Sequence, residues 1–434
     1  MSSPSECSVA WFDEARFGLF IHFGLYAIPA RHEWVMSREL RDPDEYARYA
    51  EEFDPDRFDA ADLARTARAA GMRYAVLTTK HHEGFSLFET AHSDYSAPAV
   101  CGRDLVREFV DAMRAEGLRV GLYHSLIDWH HPDFTIDEHH PLRGRDDVDA
   151  LNATRDMDRY RAFLHAQVRE LLTGYGQIDY LFFDFTYPGP HGKGPEDWDA
   201  EALLAMVREL QPGCLVNDRL GLPGDLVTPE QYQPAAPMRD EQGELVRWEA
   251  CQTLNGSWGY DRDNLDHKSP DLLVRMLVDS VAKNGNLLLN IGPDGRGALT
   301  PVDRATLGAL GEWMALHGDS VHGAGPADGV DAAQGTLLTR RGDRLYVHLT
   351  AWPMQHLHVR GLAGRVRFAR LLHDGSEVPF ETIDPERRAW NTTARGLGAD
   401  VVTFTLPIRR PDVLLPVLEI RLDAPDAPDE GAMR

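Results

Sequence analysis

The side chains in this sequence that could do chemistry sit where apolar runs end. In Ile178-Asp-Tyr-Leu-Phe-Phe-Asp-Phe-Thr-Tyr187, the carboxylate of Asp184 closes an apolar run. An isolated charge in a core is too costly, so Asp184 must face a cleft, be paired, or cap the turn that follows. Other apolar runs end in the same way. His22 ends one, Lys80-His81-His82-Glu83 follows a second, and Tyr123-His124 ends a third. Asn217-Asp218-Arg219, Trp248-Glu249 and Asn290 come later. Each alone has a structural reading: a lone histidine at a strand end is more often a hydrogen-bonded structural residue, and the Asn-Asp-Arg trio reads as a turn with an ion pair. Together they read as the rim of one pocket. Trp34, Phe85, Tyr123, Tyr187, Trp248, Trp258 and Tyr260 add aromatic faces. Aromatic platforms among neutral donors suit a sugar, with its apolar C–H face and its rim of hydroxyls. Cleaving a glycosidic bond requires two carboxyl groups. Asp184 is one, and Glu33, Glu83, Glu230 and Glu249 are the candidates for the other.

Such groups need strands to deliver them. Tyr180 to Phe183 reads as a buried parallel strand, and parallel strands present catalytic groups at their carboxyl ends. Phe17 to His22, Tyr74 to Thr79, Arg119 to Tyr123, Cys214 to Asn217 and Asn286 to Ile291 read alike. Amphipathic helices fall between them. Asp104 opens one as N-cap, another runs from about Asp156 to Gly174, and Ser269-Pro270 and Thr300-Pro301 start two more. Repeated βα units mean a parallel sheet, open or closed. No Gly-x-Gly-x-x-Gly follows the first strand, and the polar strand ends come from the whole segment rather than from one switch point. A (β/α)8-like barrel is therefore expected over residues 1–325. Beyond it, short runs such as Arg344 to Leu349 and Val417 to Leu422, with a hairpin signal at Arg341-Gly-Asp343, predict an antiparallel β-sandwich over 326–425. Residues 426–434, rich in Asp, Pro and Ala, read as a flexible tail.

Composition narrows the function. The 434 residues carry a formal net charge of −24, which disfavours phosphate backbones and anionic lipids as partners and leaves a neutral substrate. No apolar run is long enough to span a bilayer. The opening Met-Ser-Ser-Pro-Ser-Glu has no basic and apolar leader, so no signal peptide and a cytoplasmic location are expected. Four scattered cysteines show no Cys-x-x-Cys spacing and read as reduced thiols. The pairs His81-His82, His130-His131 and His139-His140 raise a metal hydrolase as a rival. Adjacent residues on a strand point to opposite faces, however, and the latter two pairs lie in a Pro- and Asp-rich loop. No metal or organic cofactor is expected. Oligomeric state is open, a homo-oligomer included.

The motifs also resemble a known family. Trp11-Phe-Asp-Glu-Ala-Arg-Phe-Gly-Leu-Phe-Ile-His-Phe-Gly24 is similar to the opening signature of the α-L-fucosidases, glycoside hydrolase family 29. Thr78-Thr-Lys-His-His-Glu-Gly-Phe85, Gly117 to Tyr123, Val216-Asn-Asp-Arg219, Trp248-Glu-Ala-Cys251 with Ser257-Trp-Gly-Tyr260, and Lys283 to Pro293 match further blocks in family order. The resemblance spans the whole barrel. It implies a retaining exo-hydrolase that releases terminal α-L-fucose from oligosaccharides or glycoconjugates through a covalent fucosyl-enzyme. Asp184 matches the family nucleophile. His22, His81, His82, Tyr123 and Arg219 match residues that bind fucose hydroxyls, Glu33-Trp34 matches a Glu-Trp pair at the pocket, and Trp258 lies in a matching block. The acid/base varies in position between branches of the family. In one branch its place falls on Glu230, in Val227-Thr-Pro-Glu-Gln-Tyr232, with Glu249 the alternative as acid or as an orienting group. Phe185 departs from the Asp-Gly often seen after the nucleophile.

Overall fold

A computed structural model describes residues 6–332, 334–382 and 398–423. Among them, seven strands form one parallel sheet: β1 (Phe17–Ile21), β2 (Tyr74–Lys80), β3 (Arg119–Ser125), β4 (Tyr180–Asp184), β5 (Leu215–Val216), β6 (Trp248–Thr253) and β7 (Gly285–Ile291), in the order β5-β4-β3-β2-β1-β7-β6. The two outer strands, β5 and β6, are joined through residues 226–230. Parallel bridges link Asn217 to Leu226, Val227 to Trp248 and Glu230 to Cys251. This irregular eighth segment closes the ring and gives the barrel its expected (β/α)8-like form.

Strand alternation sorts the side chains. Along β4, Leu181 and Phe183 face the surrounding helices, while Tyr180 and Phe182 face the barrel interior with Phe20, Tyr74, Val76, Tyr123, Cys251 and Leu288. The interior is a packed core, and close packing explains one glycine: a Cβ on Gly18 would stand 2.4 Å from the Tyr74 ring. The helices start at the expected caps. Asp104, Asp156, Ser269 and Thr300 each accept a backbone N–H from the first turn of the helix they open. β6 is the strand that apolar runs do not reveal, because Glu249, Gln252 and Thr253 occupy half of its six positions.

Two antiparallel sheets follow. One has the order β12 (Val366–Leu371), β15 (Val417–Leu422), β10 (Arg344–Leu349), β9 (Thr336–Arg341). The other runs β13 (Phe380–Thr382), β14 (Val401–Thr405), β11 (His356–Arg360), β8 (Asp331–Ala332). Leu345, Val347 and Ile420 of the first pack against Val359, Val402 and Phe404 of the second in a single core, the expected sandwich. This unit docks on the barrel's outer helices: the Trp313 indole donates to the Leu415 carbonyl at 2.9 Å, and Thr339 donates to the Ser320 carbonyl at 2.7 Å. The tail 426–434 lies outside the described residues. No helix among those residues is long and apolar enough to cross a membrane.

Candidate active site

Asp184 is the last residue of β4, on the same face as Tyr180 and Phe182, so alternation aims it into the mouth of the barrel. It sits beside Ser125 of β3 in register. Tyr123 donates its hydroxyl to Oδ2 at 2.9 Å, and Arg219 donates to Oδ1 at 2.8 Å. The two bonds, one to each oxygen, fix the plane of the carboxyl group. Around it, one pocket is lined by His22, Trp34, His81, His82, Tyr123, Arg219, Glu230 and Trp258, together with Phe20, Phe182, Phe185 and Cys251.

Arg219 ties the two candidate catalytic carboxylates together. One guanidinium nitrogen holds Asp184, and the other lies 2.7 Å from Glu230 Oε2. The two acids therefore stand within the span of one arginine fork. The fork lies over the Phe182 ring, 5.5 Å from its centroid. Burial opposes the Arg219 charge, but Asp184 above all, with Cys251 and Glu230 after it, outweighs burial, so the group stays cationic. Arg219 is placed by a short 3₁₀ turn, Asp218–Leu220, directly after β5. The side chain of Asn217 extends that short strand: it accepts from Phe183 N–H at 3.0 Å and donates to Phe183 C=O at 2.9 Å. Glu230 is delivered by the closing segment. Its other oxygen accepts from the Trp258 indole at 3.2 Å, and its side chain is 39% exposed, so solvent reaches it.

The histidines are neutral, and their tautomers follow from their partners. Burial pushes His22 and His82 well below the usual imidazole range and His81 to about 3. The Asn290 amide donates to the Trp258 carbonyl at 2.7 Å, so its oxygen faces His22 Nδ1 at 2.6 Å. His22 Nδ1 must then carry the proton, which leaves Nε2 a lone pair. The same reasoning applies to His82. Ser125 spends its hydroxyl proton on the Ile127 carbonyl at 2.8 Å, so it accepts from His82 Nδ1 at 2.7 Å. Both rings therefore present an acceptor nitrogen to a sugar hydroxyl.

Glu33 is not among the lining residues. It is fully buried behind Trp258, where Oε2 accepts the N–H groups of Trp258 (3.1 Å) and Gly259 (2.9 Å). It positions the indole that in turn holds Glu230. Its neighbour Trp34 does line the pocket and packs edge-on against His82 at 5.1 Å. Glu83 stands behind His81, 3.6 Å from its Nδ1, and both carboxyl oxygens lack a hydrogen-bond partner among the described residues.

Glu249 is far from the chemistry. It is the second residue of β6, at the opposite end of the barrel, where it accepts from Tyr180 at 3.0 Å and from Tyr74. Tyr180 lies four residues before Asp184, about 13 Å along the strand. A strand-start position replaces the strand-end position expected from the sequence, and Glu249 is not among the residues that line the pocket around Asp184 and Glu230. Burial raises its pKa to about 7, and likewise raises Glu33 to about 7 and Glu83 to about 8. Stability follows with a definite sign. In an unfolded chain these groups titrate near 4.5, so between about pH 4.5 and 7 the folded state holds more protons. Their contribution is complete below 4.5 and is lost as pH rises through 7 to 8. The buried histidines, held neutral, act in the opposite sense below about pH 6.5, so the test is a difference: the melting temperature of the wild type relative to Glu249→Gln should fall from pH 5 to pH 8, and a difference that stays constant over that range would contradict this assignment.

Other expectations change in position. Phe85 and Trp248 are buried in packing, the Trp248 indole donating to the Lys283 carbonyl at 2.9 Å. Tyr260 faces a separate depression, and Tyr187 a neighbouring cleft. His124 turns outward to Thr79 at 2.9 Å. The strand ends at Lys80, so alternation does not separate His81 from His82: their rings lie 4.0 Å apart and both line the pocket. Among the described residues, no group of three or more His, Cys, Asp or Glu side chains stands where it could hold a metal ion. Phe20, Phe182 and Cys251 were missed as lining residues, although each is two positions along the chain from a recognised one (His22, Asp184 and Glu249).

Comparison with known proteins bears on family and fold. A family model described as Alpha-L-fucosidase matches residues 2–319. The tissue alpha-L-fucosidase of Rattus norvegicus is 31% identical over 369 residues, covering 79% of this chain and 76% of that one. The structure of alpha-L-fucosidase isoenzyme 1 from Paenibacillus thiaminolyticus superposes with a TM-score of 0.89 at 43% identity, covering 96% of this chain and 99% of that one. A GH29 alpha-L-fucosidase from Bacteroides thetaiotaomicron, in a structure of a trapped covalent intermediate with 2-fluoro-fucosyl fluoride made in a Glu-to-Gln mutant, superposes at 0.83 with 28% identity, covering 98% of each chain. With a family model over most of its length and the barrel geometry to match, this chain belongs to the α-L-fucosidase family.

Proposed function

We propose that the protein is a retaining exo-α-L-fucosidase acting on fucosylated oligosaccharides or glycoconjugates, with Asp184 as nucleophile and Glu230 as acid/base. The observation that carries the assignment is the Arg219 fork, which holds both carboxylates at one pocket. Asp184, oriented by Tyr123 and Arg219, attacks the anomeric carbon. Glu230 protonates the departing oxygen, then takes a proton from the incoming water. The charge that develops on the sugar ring is met by the Asp184 carboxylate, and hydroxyl contacts to His22, His81 and His82 strengthen in the transition state. The covalent intermediate trapped in the Bacteroides relative supports this two-step course. We further propose that residues 1–325 carry the chemistry and that 326–425 brace the barrel. ¹H NMR of an aryl α-L-fucoside during hydrolysis should show α-fucose as the first product. First appearance of β-fucose would mean inversion and a different role for Asp184.

Positioning of His22 is open to a separate test. Asn290→Ala frees the ring to adopt the other tautomer and should lower kcat/KM by about tenfold, roughly 1.4 kcal/mol. Wild-type kinetics would show that His22 needs no such support.

A further inference from the structure

Phe185, directly after Asp184, has a φ of +85°. For a bulky side chain this is a true outlier, and such strain persists where the surroundings impose it and function uses it. The surroundings are aromatic: the Phe185 ring lies 5.0 Å from Trp34, 5.1 Å from His82, 5.2 Å from His139 and 5.0 Å from Tyr187. The strained backbone thereby sets the ring between two cavities. On one side is the pocket that holds Asp184 and Glu230. On the other is an open cleft of about 370 Å³, with Phe185, Pro188, Pro195, Asp218 and Thr228 in its walls. Arg219 is common to both.

The cleft is built for a polar ligand with an apolar face. Phe185 and the two prolines supply apolar surface to its walls. Asp218 uses one oxygen to accept the Thr228 N–H at 3.2 Å, and the Thr228 hydroxyl has no hydrogen-bond partner among the described residues. Thr228 and Glu230 are two residues apart on the extended segment that pairs with β6, so they face the same way. Thr228 of the cleft and Glu230 of the pocket therefore stand on one face of the same segment, and Phe185 and Arg219 line both cavities.

We propose that this cleft is the leaving-group subsite, that it takes a neutral sugar unit with its C–H face on Phe185 and a hydroxyl on Asp218, and that Phe185 sets leaving-group specificity. The proposal rests on the assignment of Asp184 and Glu230, and the test keeps the two apart. Kinetics are compared on fucosyl disaccharides and on α-L-fucosyl fluoride, whose leaving group fills no subsite. In Phe185→Gly and in Asp218→Asn, the ratio of kcat/KM for the disaccharides to kcat/KM for the fluoride should fall by about tenfold or more. Phe185→Gly should also melt above Phe185→Ala, the reverse of the usual order, because glycine alone takes this φ freely. A ratio within about twofold of wild type in both variants would overturn the subsite. Phe185→Ala melting above Phe185→Gly would overturn the strain that singles out Phe185. Wild-type turnover of the fluoride by Asp184→Ala would instead remove the catalytic assignment itself, whatever the ratios show.

Discussion

Asp184→Ala should lower turnover of every fucoside by about 10⁴-fold or more while the protein remains folded. The size of the loss follows from the role: without the carboxylate no fucosyl-enzyme forms, and no other acid on β4 can replace it. The fold should survive because Asp184 lies at the rim rather than in the packed interior, and Arg219 keeps Glu230 as an ionic partner. The pocket left behind should admit azide. Attack by azide on an activated aryl fucoside should then restore part of the rate and give fucosyl azide of inverted, β configuration. A folded variant with near-normal turnover would overturn the assignment.

Glu230→Ala should separate substrates by their leaving groups. A sugar alkoxide cannot depart without a proton, so turnover of natural oligosaccharides should collapse, by about 10²–10⁴-fold. An aryl fucoside with a good leaving group needs less help in the first step. Its second step still lacks a base, so the fucosyl-enzyme should accumulate. Azide needs no base and should speed its breakdown, giving fucosyl azide of retained, α configuration. Glu249→Ala should show none of this, because Glu249 bonds two tyrosines at the far end of the barrel. Its loss should appear as reduced stability. The reverse pattern, azide rescue in Glu249→Ala and none in Glu230→Ala, would exchange the two roles.

These roles were legible in the sequence to different degrees, for physical reasons. Asp184 was legible because its strand is apolar on both faces, so the single acid at its end stands out. Arg219 and the histidines were legible because strand ends gather at one mouth of a barrel. Glu249 was misplaced because β6 is half polar. Without a visible strand, its first residues could not be told from its last, and the two ends of a barrel strand differ entirely in function. The side-by-side rings of His81 and His82 were hidden by a strand that stops one residue earlier than alternation requires. Glu33 and Asn290 act through Trp258 and His22. Such indirect positioning depends on loops meeting across the barrel, which no local pattern records. The strain at Phe185 was invisible for the same reason: the sequence shows a phenylalanine, but only the backbone shows the φ it must hold.

The most direct test of the central assignment is the covalent bond itself. The protein should be incubated with 2-fluoro-fucosyl fluoride, which slows the second step more than it removes the first, then digested and examined by peptide mass spectrometry. The expected result is one 2-fluoro-fucosyl group per chain, on the peptide carrying Asp184, with no labelling of Asp184→Ala. Labelling of a different carboxylate, with Asp184→Ala labelled as readily as the wild type, would contradict it.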